Sequence, residues 1–153
     1  MTEFINIVAH HFRFLDEDFG YKIKQTITAP APFGNSIVCF CTSSIGINVV
    51  LDRGQVFIYT GPLTLPVEEW FDICDVIPYF ASHIDKVYFF PEDVSGEASI
   101  VLQVERLSSL IRMYCPSILA GDFSMDGEIR EIQRTRVEKF KREMEKQYPN
   151  LKV

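Results

Sequence analysis

The stretch Ser36–Leu63, SIVCFCTSSIGINVVLDRGQVFIYTGPL, decides the fold. Three runs rich in β-branched and aromatic residues, Ser36 to Thr42, Ile45 to Leu51 and Gln55 to Thr60, are separated only by Ser43-Ser44 and Asp52-Arg53-Gly54. Connectors this short join antiparallel neighbours, because a parallel pair needs a crossover of about a dozen residues or more. Gly54 supplies the positive φ that a tight hairpin demands. Upstream, Tyr21, Ile23, Gln25 and Ile27 alternate with Lys22, Lys24 and Thr26, which predicts a half-exposed first strand and completes a four-stranded antiparallel meander. Pro30, Pro32 and Gly34 prevent that strand from continuing through Ala29 to Asn35.

The flanks read as helices. Phe4, Val8, Phe12 and Leu15 recur at near-helical spacing and Gly20 ends the run. Asp75 is placed to cap a short helix through Ser82, with Pro78 in its first turn. After a break at Pro91-Glu92-Asp93, a helix from Ser95 to Cys115 aligns Ile100, Val104, Leu107, Ile111 and Tyr114 in one stripe. The last helix, Asp126 to Tyr148, sets Ile129, Ile132, Val137, Phe140, Met144 and Tyr148 inward, and its outer face offers Arg134–Glu138, Glu138–Arg142 and Lys139–Glu143 as pairs four residues apart. The expectation is one α+β domain over residues 1–153, with the four-stranded meander packed against the N-terminal helix and the two long C-terminal helices.

Composition narrows the function classes. A chain of 153 residues with 47% hydrophobic side chains buries roughly two thirds of its unfolded surface on folding. The first residues lack a basic region followed by an apolar core, so no signal peptide is expected, and no apolar run approaches the ~20 residues of a membrane span. A cytoplasmic setting is therefore expected, with Cys39, Cys41, Cys74 and Cys115 as free thiols; C-x-C spacing argues against a structural metal. Charge is uneven. Residues 1–122 hold 15 acidic and 7 basic side chains, net −8, whereas 123–153 hold 6 acidic and 8 basic, net +2. An acidic body disfavours nucleic acid and favours basic protein partners.

No constellation carries catalytic chemistry, and neither a cofactor nor an enzymatic activity is expected. His10 and His11 are adjacent, so on a helix they diverge by about 100° rather than converging on an ion. Ser43, Ser44 and Cys39 lack a nucleophile-elbow setting. Glu68, Glu69, Asp72, Asp75 and Asp85 surround Trp70 and Phe71; a glycosidase would need two carboxylates at a fixed separation across a large cleft. Capping and solvated charge account for most of that cluster, and an aromatic ringed by acid suits a basic partner for the rest.

The pattern F-x-F-L-x-x-x-F-G-Y over Phe12–Tyr21, then F-G-N-S-I-V over Phe33–Val38, the Leu51-Asp52-Arg53-Gly54 turn and G-P-L…W-F-D-I over Gly61–Ile73 resemble small uncharacterised bacterial domains of the immunity and antitoxin type. The resemblance covers the first half of the chain and brings no catalytic residues. Together with the acidic body, the acidic segment around Trp70 and the missing catalytic constellation, it leads to the expectation of a non-catalytic protein-binding domain, monomer or homodimer, in which Glu68, Glu69, Trp70, Asp72 and Asp75 meet a basic partner. The alternatives are a small-molecule or regulatory module with a pocket between the sheet and the Ser95–Cys115 helix, and an enzyme whose site escapes motif reading.

Overall fold

The computed structural model describes residues 2–28, 35–84, 91 and 93–151. Asp85, Glu92 and the proline-containing connector 29–34 lie outside the described residues. The chain forms α1 (Thr2–His11), α2 (Arg13–Phe19), β1 (Lys22–Thr28), β2 (Ser36–Cys41), β3 (Ile45–Asp52), β4 (Gln55–Pro62), a 3-10 turn (Val67–Glu69), β5 (Phe71–Asp72), α3 (Ile73–Phe80), α4 (Gly96–Tyr114), α5 (Pro116–Leu119) and α6 (Asp126–Gln147). The architecture is α+β, with all five strands antiparallel in sequence order β1-β2-β3-β4-β5. The fifth strand, two residues long, is an addition to the expected meander.

Local chemistry sets the joints. Arg53 (φ 50) and Gly54 (φ 83) both take positive φ between the paired residues Asp52 and Gln55, so β3 and β4 are joined by a two-residue primed turn whose twist matches the strands. The Thr42 hydroxyl accepts from the Ser44 and Ile45 N–H groups and shapes the β2–β3 turn. The N-terminal helix is two helices: Phe12 (φ −98, ψ 14) interrupts it while staying buried. Gly20 then closes α2 with φ 75, its N–H bonding the Asp16 carbonyl at 3.1 Å.

One sheet face is the core. Val38, Phe40, Ile47, Val49, Leu51, Val56 and Ile58 point into it and meet Phe4, Val8 and Phe12 of the N-terminal segment, Val76 and Ile77 of α3, and Val104, Leu107 and Ile111 of α4 in one cluster. Side chains of the sheet and of α4 thus belong to one buried cluster.

Gln103 occupies the middle of that apolar contact. β5 pairs only with Tyr59 and Thr60 of β4, and nearer the turn the Gln103 amide bonds the same strand, accepting from Val56 N–H and donating to the Gly54 carbonyl, both at 2.9 Å. Gln103→Leu strands both backbone groups, so urea unfolding should show a loss of about 2–3 kcal/mol; a loss below ~0.5 kcal/mol would mean water replaces the amide.

Three expectations are corrected. All seven residues of β1 are exposed, because this is an edge strand with a register shift between Ile23 and Gln25; of the expected inward set only Tyr21, just before it, is buried, donating its hydroxyl proton to the Leu119 carbonyl at 2.8 Å. The short helix α3 begins at Ile73, so Asp72 rather than Asp75 caps it, and Pro78 lies in its interior. On α6 only Ile129 is buried, while Val137, Phe140 and Tyr148 are exposed, because a helix of 22 residues, about 33 Å long, outruns the body that its first turns pack against.

Candidate functional site

The segment after β4 builds the site. Pro66 (φ −64, ψ 152) leads into the 3-10 turn, which lifts Glu68 and Glu69 into solvent and returns the chain as β5, where Phe71 pairs with Thr60 and Asp72 with Tyr59. Trp70 does not face solvent. Its indole lies against the outer face of the sheet over Gly46 and Gly61, and Nε1 donates to the Pro62 and Leu65 carbonyls, each at 3.2 Å. A side chain at either glycine would occupy the space of the ring. Phe71 is buried beneath Arg130, whose guanidinium carbon sits 4.6 Å from the ring centroid while Nη2 donates to the Glu69 carbonyl.

The two aspartates have different roles. Asp72 Oδ1 accepts from Cys74 N–H at 2.8 Å as the cap of α3. Partial burial pushes its carboxyl above the usual aspartate range, opposed by that cap bond and reinforced by the charge of Asp75. Asp75, only 1% exposed, accepts from Arg136 Nε at 2.6 Å and Nη2 at 2.7 Å in a two-pronged ion pair between α3 and α6. The carboxylate in turn holds the Arg136 guanidinium more firmly protonated. Asp75 therefore presents no charge to a partner. Burial, then the Asp72 charge, likewise pushes the Tyr59 hydroxyl up.

These elements leave an open cleft of about 370 Å³. Tyr59 and Trp70 line it from the sheet side, Glu68 and Asp72 from the β5 segment, and Gln133 and Arg136 from α6. Of the five residues expected to meet a partner, Glu68, Trp70 and Asp72 converge here; Glu69 is exposed but does not line the cleft, and Asp75 lies beneath it, tied to Arg136. Chemically the cleft offers two carboxylate acceptors and two aromatic rings, with the Arg136 charge already compensated, which suits a cationic group.

Tyr59, Val67, Gln133 and Arg136 are lining residues that sequence reading passes over, and of these Arg136 left a trace. The signal lay in the helical period: Arg136 is seven residues after Ile129 and four after Ile132, so it shares their inward stripe, while Asp75 interrupts the buried run Ile73, Val76, Ile77. Arg134, expected to pair with Glu138, turns back to Glu131 instead.

Elsewhere, no disulfide joins the four cysteines, and burial raises Cys115 to about 12. The His10 and His11 rings meet edge to face, 5.0 Å between centroids, and no cluster of metal-ligating side chains occurs among the described residues. No helix among the described residues is long and apolar enough to cross a membrane. No protein-family model, no curated protein and no solved structure matches this chain.

Proposed function

We propose that this chain is a non-catalytic protein-binding domain that captures a basic segment of a partner protein, in the manner of an immunity-type inhibitor, with the Glu68–Asp72 cleft as its recognition point. The observation that carries the reading is the convergence of Glu68 and Asp72 with Tyr59 and Trp70 around one open space in which the guanidinium of Arg136 is neutralised from below by Asp75. An Arg or Lys side chain entering it finds carboxylates for its charge and ring faces for its stem. The net charge of −8 over residues 1–122 steers such a partner toward the body.

The test begins with affinity capture of the tagged chain from its native lysate at low and moderate salt, with recovered proteins identified by mass spectrometry. The recovered partner is then titrated against Glu68→Gln/Glu69→Gln/Asp72→Asn, which keeps the cap acceptor of α3. At least about a tenfold weakening is expected, as for loss of a complementary charge cluster at an interface. The sign of the pH dependence follows from the raised Asp72 carboxyl: a cation is held by the ionised form, so capture strengthens as pH rises from the ordinary carboxylate range through the higher one that Asp72 occupies. Unchanged affinity in the triple variant removes the cleft from the recognition surface.

A further inference from the structure

The first turns of α6 are tied down by Ile129 in the core, Glu128 accepting from the Tyr79 hydroxyl, Arg130 over Phe71 and Arg136 on Asp75. Past Arg136 the helix continues for three more turns, and its apolar residues change role. Val137 is 43% exposed and Phe140 59%, and together with Met144 and Tyr148 they succeed one another at intervals of three, four and four residues. That spacing draws a narrow seam along one side of a helix, the geometry of a helix–helix contact.

The charges beside the seam say what covers it. Arg134, Glu138, Lys141 and Glu145 follow one flank; Arg136 and Glu143 follow the other. Their signs are antisymmetric about the point between Lys139 and Phe140, so reversing the helix about it superposes Arg134 on Glu145, Arg136 on Glu143 and Glu138 on Lys141, each an opposite pair. A parallel alignment in register would instead set Arg136 beside the partner's Lys141, two like charges. Exposed ion pairs add little affinity singly, and Arg136 is already committed to Asp75, so the flanks select direction while the seam supplies the attraction.

We propose that this seam is the interface of a homodimer in which α6 packs antiparallel on α6 of a second copy, across a two-fold axis passing beside Phe140, with Val137 and Phe140 at its centre and Met144 reaching the level of the partner's Thr135. Val137 packs on the partner's Phe140 and the reverse. The anchored ends of the two helices then lie at opposite ends of the pair, which keeps the two bodies apart.

Sedimentation velocity of the full chain over a range of concentrations tests this. A reversible dimer is expected, weakened by salt. Phe140→Glu should raise its dissociation constant by at least ~tenfold, since it places a charge at the centre of the seam. Unchanged far-ultraviolet circular dichroism and melting temperature in that variant would show that the exposed Phe140 is not needed for folding. Direction is read separately: Glu138→Lys alone should weaken the dimer, and Glu138→Lys with Lys141→Glu should restore it. A monomer at every concentration overturns the proposal and leaves the seam to a different protein. A dimer indifferent to Phe140→Glu overturns it as well, and failure of the double reversal to restore association overturns the antiparallel register.

Discussion

Arg136→Met should cost about 3–5 kcal/mol of unfolding free energy in urea titrations followed by circular dichroism, more than any other single change of a charged side chain among the described residues. The estimate turns on asymmetry within the pair. Asp75 is 1% exposed, whereas the Arg136 side chain keeps 39% of its surface in solvent. Removing the arginine leaves a carboxylate shut away from water with no cation to meet; removing the carboxylate leaves a guanidinium that water can reach. Asp75→Asn should therefore cost less, about 1–3 kcal/mol. The pair Asp75→Leu/Arg136→Met should recover most of the loss, to within about 1–2 kcal/mol of the parent, because apolar residues of similar volume replace a buried ion pair at little net cost. Were the interaction an ordinary surface ion pair, each single change would cost under ~1 kcal/mol and the double would show no recovery. A loss of that small size in Arg136→Met would show that α6 is held by Ile129 and its neighbours alone. Against the 5–15 kcal/mol that typically separates a folded domain from its unfolded chain, about 3–5 kcal/mol would be visible as a marked fall in the urea midpoint.

The same pair marks where sequence reading stops. Alternation and turn residues locate β2, β3 and β4 because both signals are local: each strand carries its own period, and Arg53-Gly54 carries its own φ preference. Two-residue β5 has no room for a period and exists only through its bonds to Tyr59 and Thr60. The break at Phe12 is invisible for the opposite reason, since the apolar spacing runs straight through it. On α6 the pattern reports correctly that one side is apolar and says nothing about what lies against it; Ile129 finds the core and Phe140 finds solvent. At the site, the acidic run around Trp70 is legible as a run. Its sorting into exposed Glu68, capping Asp72 and buried Asp75 depends on an arginine 61 residues away, and the orientation of Trp70 depends on glycines in two other strands. Long-range partners of this kind leave only an indirect trace, a charged residue on an apolar stripe or a glycine inside a strand.

Those glycines set the second large effect. Gly61→Ala should destabilise the protein by about 2–4 kcal/mol and shift the emission of its single tryptophan to longer wavelength. A Cβ at position 61 would stand 2.6 Å from Trp70 Cγ and 3.1 Å from Trp70 Cβ, at the root of the side chain, where no rotation of the ring gives relief without moving the backbone of β5. At Gly46 the intrusion falls instead on the far rim of the indole, 2.8 Å from Cζ2, so the ring can tilt and Gly46→Ala should cost less than Gly61→Ala. Tilting would still lengthen the Nε1 bonds to the Pro62 and Leu65 carbonyls and let water reach the ring, so both variants should move the emission. Because Trp70 also walls the cleft beside Tyr59, either change should weaken capture of a basic partner even under conditions where the variant is fully folded. Gly20→Ala is the matching control: it sits at positive φ with nothing near its missing Cβ, so it should cost about 1 kcal/mol through backbone strain alone and leave the emission where it was. An unshifted spectrum in Gly61→Ala would mean that the ring does not rest on the glycines, and the wall it gives the cleft would go with it.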